Sequence, residues 1–181
     1  TQAPRFNKLL VAPSTLIKGI VKRIDREIDH ARAGQPAAII AKMNGLLDPI
    51  VVESLFRASQ AGVQIDLIVR GVCNLRPGVP GVSDNIRVYS IIGRFLEHSR
   101  VFYFSNAGTP DILLGSADWM NRNLRGRVEV VFPVEDESLK LRVYRELLVL
   151  GLLDRVKSRQ LQSDGTYVRL TPSEHTGPLC Q

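Results

Sequence analysis

Apolar residues recur at three- and four-residue intervals through Leu16, Ile17, Ile20, Val21, Ile24 and Ile28. This spacing predicts an amphipathic helix capped by Ser14 and ended by Gly34. The apolar run Ala37–Met43 predicts a short buried strand. Asp48-Pro49 then offers an N-cap side chain and a proline at the first helical position, where no backbone donor is needed. That helix is expected to reach about Ala61, with Gly62 closing it, and Val63–Val69 predicts a second buried strand. Ile86–Ile92, Val101–Ser105, Ile112–Gly115 and Val128–Val134 also have strand character, with a turn at Asn106-Ala107-Gly108. A last helix is predicted over Glu137–Lys157, its apolar stripe formed by Leu141, Tyr144, Leu147, Leu148 and Leu152. Gln162–Gln181 is polar with Gly and Pro and is expected to be an extended tail.

Helix, strand, helix, strand is the alternation of an α/β sheet with parallel neighbours and right-handed crossovers. The expected fold is α/β: a mixed, mostly parallel β-sheet flanked by helices. At 181 residues the chain is expected to hold one domain, residues 1–170, and a flexible tail, residues 171–181. It does not begin with Met and reads as a piece of something longer. Its longest apolar stretch, Leu147–Leu153, is far short of the roughly 20 residues that a membrane span needs. The opening TQAPRFNK lacks the apolar core of a secretory signal.

Composition narrows the function without choosing it. With 44% hydrophobic and 23% charged residues, a disordered chain, a collagen-like fibre and a coiled-coil rod are excluded. Lys and Arg total 24 against 18 Asp and Glu, and the net charge of +6 favours anionic partners such as phosphate chains, nucleotides, nucleic acid or acidic headgroups. Cys73 and Cys180 lie far apart and form no C-x-x-C pair, so a reducing, cytoplasmic compartment is expected.

Three groups of residues have chemistry suited to an anion. His98 stands in Glu97-His98-Ser99-Arg100, just ahead of the strand VFYF. Neutral imidazole can accept a proton or attack phosphorus, imidazolium can protonate a leaving oxygen, and Glu97 or another carboxylate can fix the tautomer. His30 and His175 read as surface residues. The second group runs from Gly115 and Ser116 through Asp118 to Asn123, one turn after a strand. Gly115 and Ser116 allow close approach of backbone N–H groups to an anion. Asp118 and Asn123 can orient a histidine or a sugar, and Trp119 reads as a core anchor. The third group is arginine. Arg70 ends the strand VQIDLIV and opens the loop Arg70–Asn85, and ligands collect at such carboxyl ends. Its planar fork of donors suits phosphate. Arg76, Arg87, Arg94, Arg100, Arg122, Arg125 and Arg127 follow, and most read as solvated, with Arg100 beside His98 a further candidate to bind phosphate or to orient a neighbour. Lys42, ending an earlier strand, is a secondary candidate. There is no Walker-type loop, no G-x-G-x-x-G opening a helix and no Cys/His cluster. Magnesium held by substrate phosphates would leave no trace in the sequence.

The stretches RFNKLLVAPSTL, IIAKMNGLLDP, LIVRGVCNLRPGVPG, NIRVYSIIGRFLEHSRVFYF, GSADWMNRN and RVEVVFPV closely resemble the C-terminal domain of bacterial polyphosphate kinases of the first type. The likeness runs from about Arg5 to Leu170. It implies a phospholipase D-like domain, the second of two that each give a histidine to a shared active site. It implies an enzyme that reversibly transfers the terminal phosphate of ATP to polyphosphate through a phosphohistidine. That nucleophile belongs to the preceding domain, in an H-L-G-T-G-N-Y-type motif that is absent here. On this resemblance His98 matches the other essential histidine, which contacts the nucleotide and acts as acid or base. Arg70 and Arg127 match arginines that contact the ATP phosphates. Arg100 stands where the phospholipase motif H-x-K has lysine, and Asp118 where G-S-x-N has asparagine, which weakens any case for phosphodiester hydrolysis.

The resemblance further implies ATP or ADP and polyphosphate as substrates, with Mg2+ accompanying the nucleotide. The remaining domains of the same polypeptide are the implied partners, with a homo-oligomer in the full-length enzyme and no nucleic acid. It implies a cytoplasmic location that allows peripheral membrane association. Two other readings use the same residues: a homodimeric phosphodiesterase or nuclease of phospholipase D type, and a non-catalytic polyanion-binding module. The isolated chain is expected to fold but to make no polyphosphate.

Overall fold

In chain order the elements are β1 (Leu10–Ala12), α1 (Leu16–Arg32), β2 (Ala38–Met43), α2 (Pro49–Gln60), β3 (Gln64–Val69), β4 (Ile86–Ile91), β5 (Arg100–Phe104) and β6 (Asp111–Gly115). There follow α3 (Asn121–Arg125), β7 (Glu129–Pro133), α4 (Glu137–Val143), a π-helical stretch Tyr144–Val149, α5 (Leu150–Leu153), β8 (Ser158–Leu161) and β9 (Tyr167–Arg169). These come from a computed structural model that describes residues 6–170. The expected tail 171–181, with His175 and Cys180, lies outside the described residues.

The helix signals act locally as expected. Leu16, Ile20, Ile24 and Ile28 are buried along one face of α1, although Thr15 rather than Ser14 takes the cap position. Asp48 caps α2, its Oδ1 accepting from the amides of Ile50 at 3.1 Å and Val51 at 3.2 Å.

The strands form one mixed sheet in the order β1-β7-β6-β5-β2-β3-β4-β8-β9. Only β2–β3 and β3–β4 pair in parallel, so the expected mostly parallel sheet is corrected to a mostly antiparallel one. The mixed α/β character and the flanking helices stand. A parallel neighbour needs a crossover of a dozen or more residues. The short turn between β5 and β6 forces reversal instead.

Alternation along the strands gives the sheet two buried faces. Ile39, Ala41, Phe102 and Phe104 join Leu16, Ile20, Ile24, Leu55 and Trp119 in the larger core beneath α1 and α2. Ile40 and Val101 point the other way, onto Leu148 and Tyr144 of the π-helical stretch. Trp119 is a core anchor, stacked on Phe102 with ring centroids 4.9 Å apart.

The C-terminal end also differs from expectation. Helix stops at Leu153, because Asp154 Oδ1 accepts from the amides of Val156 and Lys157, both at 2.8 Å, and turns the chain. The polar segment beyond it forms the β8–β9 hairpin, which extends the sheet beside β4.

Candidate phosphate site

Topology brings the ends of several strands together. β2 and β3 are parallel, so Asn44 and Arg70 leave the sheet at the same end. β5 runs antiparallel to β2, with Val101 opposite Lys42, so His98 and Arg100 enter at that end. β6 runs antiparallel to β5, with Gly115 opposite Arg100, so Asp118 follows there too.

These five residues form one hydrogen-bonded chain. Arg70 Nε donates to Asn44 Oδ1 at 2.9 Å. Asp118 Oδ1 accepts from the Asn44 amide N at 2.7 Å and from Asn44 Nδ2 at 3.3 Å. Arg100 answers the same carboxylate with Nε at 3.1 Å and Nη2 at 2.9 Å. Its remaining Nη1 lies 2.8 Å from His98 Nδ1 and 2.8 Å from the His98 carbonyl oxygen. A guanidinium has no acceptor, so Nδ1 is assigned as the acceptor and the neutral imidazole carries its proton on Nε2. Burial would raise the Asp118 carboxyl, but the bonds from Arg100 and Asn44 outweigh it and hold the group below its ordinary value.

Two atoms groups are left for a ligand. Arg70 Nη1 and Nη2, and His98 Nε2 on an exposed ring, have no protein partner among the described residues. Arg100, by contrast, is buried and spends its guanidinium on Asp118 and His98. It meets the imidazole at Nδ1, where the sequence had offered Glu97 or another carboxylate. Glu97 pairs with Lys42 instead and pins the segment that crosses from β4 to β5. That crossing segment and Arg70 line the same narrow cleft.

The Gly115–Asn123 group divides. Asp118 joins the chain above. Ser116 Oγ and Asn123 Nδ2 both donate to the buried carboxylate of Glu129, the latter at 2.7 Å. The Ser116 amide donates to Val130 O at 3.0 Å, so it is not available to an anion. Gly115 has a packing reason, since a Cβ there would lie 2.5 Å from Val131 Cγ2 and 2.6 Å from Val130 O. Arg127 is exposed just before β7, at the same end of the sheet, with no protein partner among the described residues. Four strand spacings separate β7 from β3, roughly 19 Å, so Arg127 stands well away from Arg70.

Sequence reasoning missed Asn44 and Glu129. Asn44 had the signal that singled out Arg70, a polar residue immediately beyond a buried strand. Glu129 had none, because one carboxylate in an alternating strand reads as solvent-facing.

Residues 9–179 match the family described as polyphosphate kinase C-terminal domain 2. The chain belongs to this family. It is 55% identical over 170 residues to the polyphosphate kinase of Neisseria meningitidis serogroup B, covering 94% of this chain and 25% of that protein. It is 57% identical over 168 residues to the polyphosphate kinase of Thermosynechococcus vestitus, covering 93% and 23%. The chain thus spans about a quarter of the curated polyphosphate kinases it matches. The crystal structure of polyphosphate kinase from Porphyromonas gingivalis superposes with a TM-score of 0.92 at 40% identity, covering 98% of this chain and 27% of that one. A phospholipase D family member, Nuc from Salmonella typhimurium, superposes with a TM-score of 0.62 at 13% identity, covering 86% and 97%, and shares the fold alone. Among the described residues of this polyphosphate kinase domain, no helix is long and apolar enough to cross a membrane.

Proposed function

We propose that this chain is the part of an ATP:polyphosphate phosphotransferase that grips the nucleotide phosphates and presents His98 to the reacting phosphoryl group. The observation that carries this reading is the hydrogen-bonded chain from Arg70 to His98, which leaves a guanidinium fork and one imidazole nitrogen for a ligand. Phosphoryl transfer is served chiefly by positioning and by neutralising charge on the oxygens. Arg70 would take two oxygens of the phosphate chain through Nη1 and Nη2. Arg127, on the same rim, would supply a second cation further along the anion.

In this reading the attacking histidine belongs to a preceding domain. It forms a bond to the terminal phosphorus while the bridging oxygen departs with ADP, and the phosphoryl group then passes to polyphosphate. His98 Nε2–H is the hydrogen-bond donor available to an oxygen on which charge gathers, and it stabilises that oxygen without a proton leaving the ring. Arg100 holds the ring for that contact. The domain would work as one unit over residues 1–170, in the cytoplasm, within a homo-oligomer of the full-length polypeptide.

The nucleotide's Mg2+ finds no cluster of three or more ligating side chains among the described residues. Asp118, Glu97 and Glu129 are each engaged by Arg100, Lys42 or Asn123. Among the described residues these carboxylates therefore do not fit a resident metal, and no step is assigned to one. A phosphodiesterase reading is disfavoured at Arg100, whose charge is turned inward onto Asp118.

In the full-length protein, H98A is expected to lower polyphosphate synthesis by at least about 100-fold. R70A is expected to raise the KM for ATP by at least about 10-fold. Unchanged turnover in H98A would overturn the reading. The isolated 181-residue chain is expected to form no polyphosphate from ATP.

A further inference from the structure

We infer that Asn44 is a positioning residue that sets Arg70 against His98, an inference that rests on the nucleotide-phosphate reading above. Asn44 is the first residue beyond β2, where it lies between a cation and a carboxylate. Its Oδ1 accepts from Arg70 Nε at 2.9 Å, while its Nδ2 and its backbone amide both donate to Asp118 Oδ1, at 3.3 and 2.7 Å. A side-chain amide offers an acceptor and a donor on one short stem, so it can face a guanidinium on one side and a carboxylate on the other. A carboxylate here would repel Asp118, and an alkyl group would satisfy neither neighbour.

The backbone is locked from the other side as well. The Gly71 amide donates to Asn44 O at 2.9 Å, and a Cβ on Gly71 would lie 2.8 Å from that oxygen. The residue after Arg70 is therefore glycine where the chain must close onto Asn44. Asn44 thus fixes both the strand end that carries Arg70 and the Nε edge of its guanidinium. Only Nη1 and Nη2 remain to face an oxyanion. Asn44 also separates Arg70 from Asp118. Without it, Arg70 can turn onto that carboxylate and compete with Arg100, the residue that holds His98.

Two substitutions separate these roles. N44A removes both side-chain bonds. N44D keeps an acceptor for Arg70 Nε but sets a second carboxylate against Asp118. In the full-length protein, ATP binding by calorimetry is expected to weaken at least about tenfold in N44A. In an R70A background, adding N44A should change ATP affinity less than twofold, because Asn44 acts on the nucleotide through Arg70. N44D should keep ATP affinity within about threefold but lower kcat. That kcat should recover relative to the unsubstituted protein as pH falls, since a protonated carboxyl again donates to Asp118.

If R70A weakens ATP binding while N44A does not, the role of Asn44 is overturned and the nucleotide reading stands. The same holds if N44A weakens ATP binding equally with and without Arg70. If R70A binds ATP as tightly as the unsubstituted protein, the nucleotide reading itself fails, and the role of Asn44 with it. Should N44A fail to fold, N44D decides, and a pH-independent loss of kcat would overturn the proposal.

Discussion

Arg100 and Asp118 face each other through two hydrogen bonds, Nε to Oδ1 at 3.1 Å and Nη2 to Oδ2 at 2.9 Å, with side chains only 8% and 6% exposed. Removing one partner of such a pair leaves the other charge buried and uncompensated. D118N is therefore expected to destabilise the domain by about 3–5 kcal/mol, read as a lowered midpoint in urea. The same pair gives an acid limb. The Asp118 carboxyl is held below its ordinary value of 3.8, so its contribution is present above that pH and is lost as pH falls through the lower folded value. A D118N protein whose urea midpoint matches that of the unsubstituted chain at pH 7 would contradict this account.

Glu27 behaves in the opposite sense. It is fully buried in α1, and its two oxygens accept from the amides of Asn106 at 2.9 Å and Ala38 at 3.3 Å. Burial outweighs those bonds and raises the carboxyl above its ordinary value of 4.5. Its contribution to stability is full below 4.5 and is lost as pH rises through the folded value. E27Q removes that titration. Thermal melts are expected to show a smaller decline in Tm above pH 4.5 for E27Q than for the unsubstituted chain, and parallel profiles would refute the assignment.

Gly115 tests packing against anion binding. A Cβ there meets Val131 Cγ2 and the Val130 carbonyl oxygen, and backbone cannot swing aside as a flexible side chain can. G115A is expected to cost about 1–3 kcal/mol of stability. In the full-length protein its KM for ATP should stay within about twofold. A raised KM at unchanged stability would restore the phosphate-approach role that the sequence suggested for this residue.

Ala107 sits at φ 52° in the turn between β5 and β6, a left-handed conformation that costs an L-residue roughly 1 kcal/mol. A107G is expected to stabilise the domain by up to about 0.5 kcal/mol, since glycine's greater unfolded-state entropy offsets most of the relief. For a domain of this size that is a Tm increase of up to roughly 2 °C. A lower Tm would mean that the Ala107 methyl makes contacts worth more than the strain.

Much of the fold was legible because burial leaves a local trace. The three-and-four spacing from Leu16 to Ile28 and the Asp48-Pro49 start each depend on one element and its solvent boundary, and both helices form where expected. The β8–β9 hairpin was not legible, because its strands are short and partly exposed and give the core only Leu161, too little for a hydrophobic pattern, while pairing to β4 sets their place. In the site, Arg70, His98, Arg100 and Asp118 could be chosen by residue type and by position beside a strand. Their partners could not: Glu97, offered as one carboxylate to fix the tautomer of His98, pairs with Lys42, and Arg100 meets Nδ1.

By itself, the order of residues determined where α1, α2 and the strands from β2 to β7 lie, which face α1 buries, the basic charge, and the motifs that carry the family likeness. Those properties reside in a single segment or in the sum of residues. Only the tertiary structure decided that six of the sheet's eight pairings are antiparallel and that Arg70 reaches His98 through Asn44, Asp118 and Arg100. It also decided that the amide of Ser116 is spent on β7. Hydrogen bonds between residues 26 and 74 positions apart depend on strand direction and register, which emerge only when the whole sheet closes around its two cores.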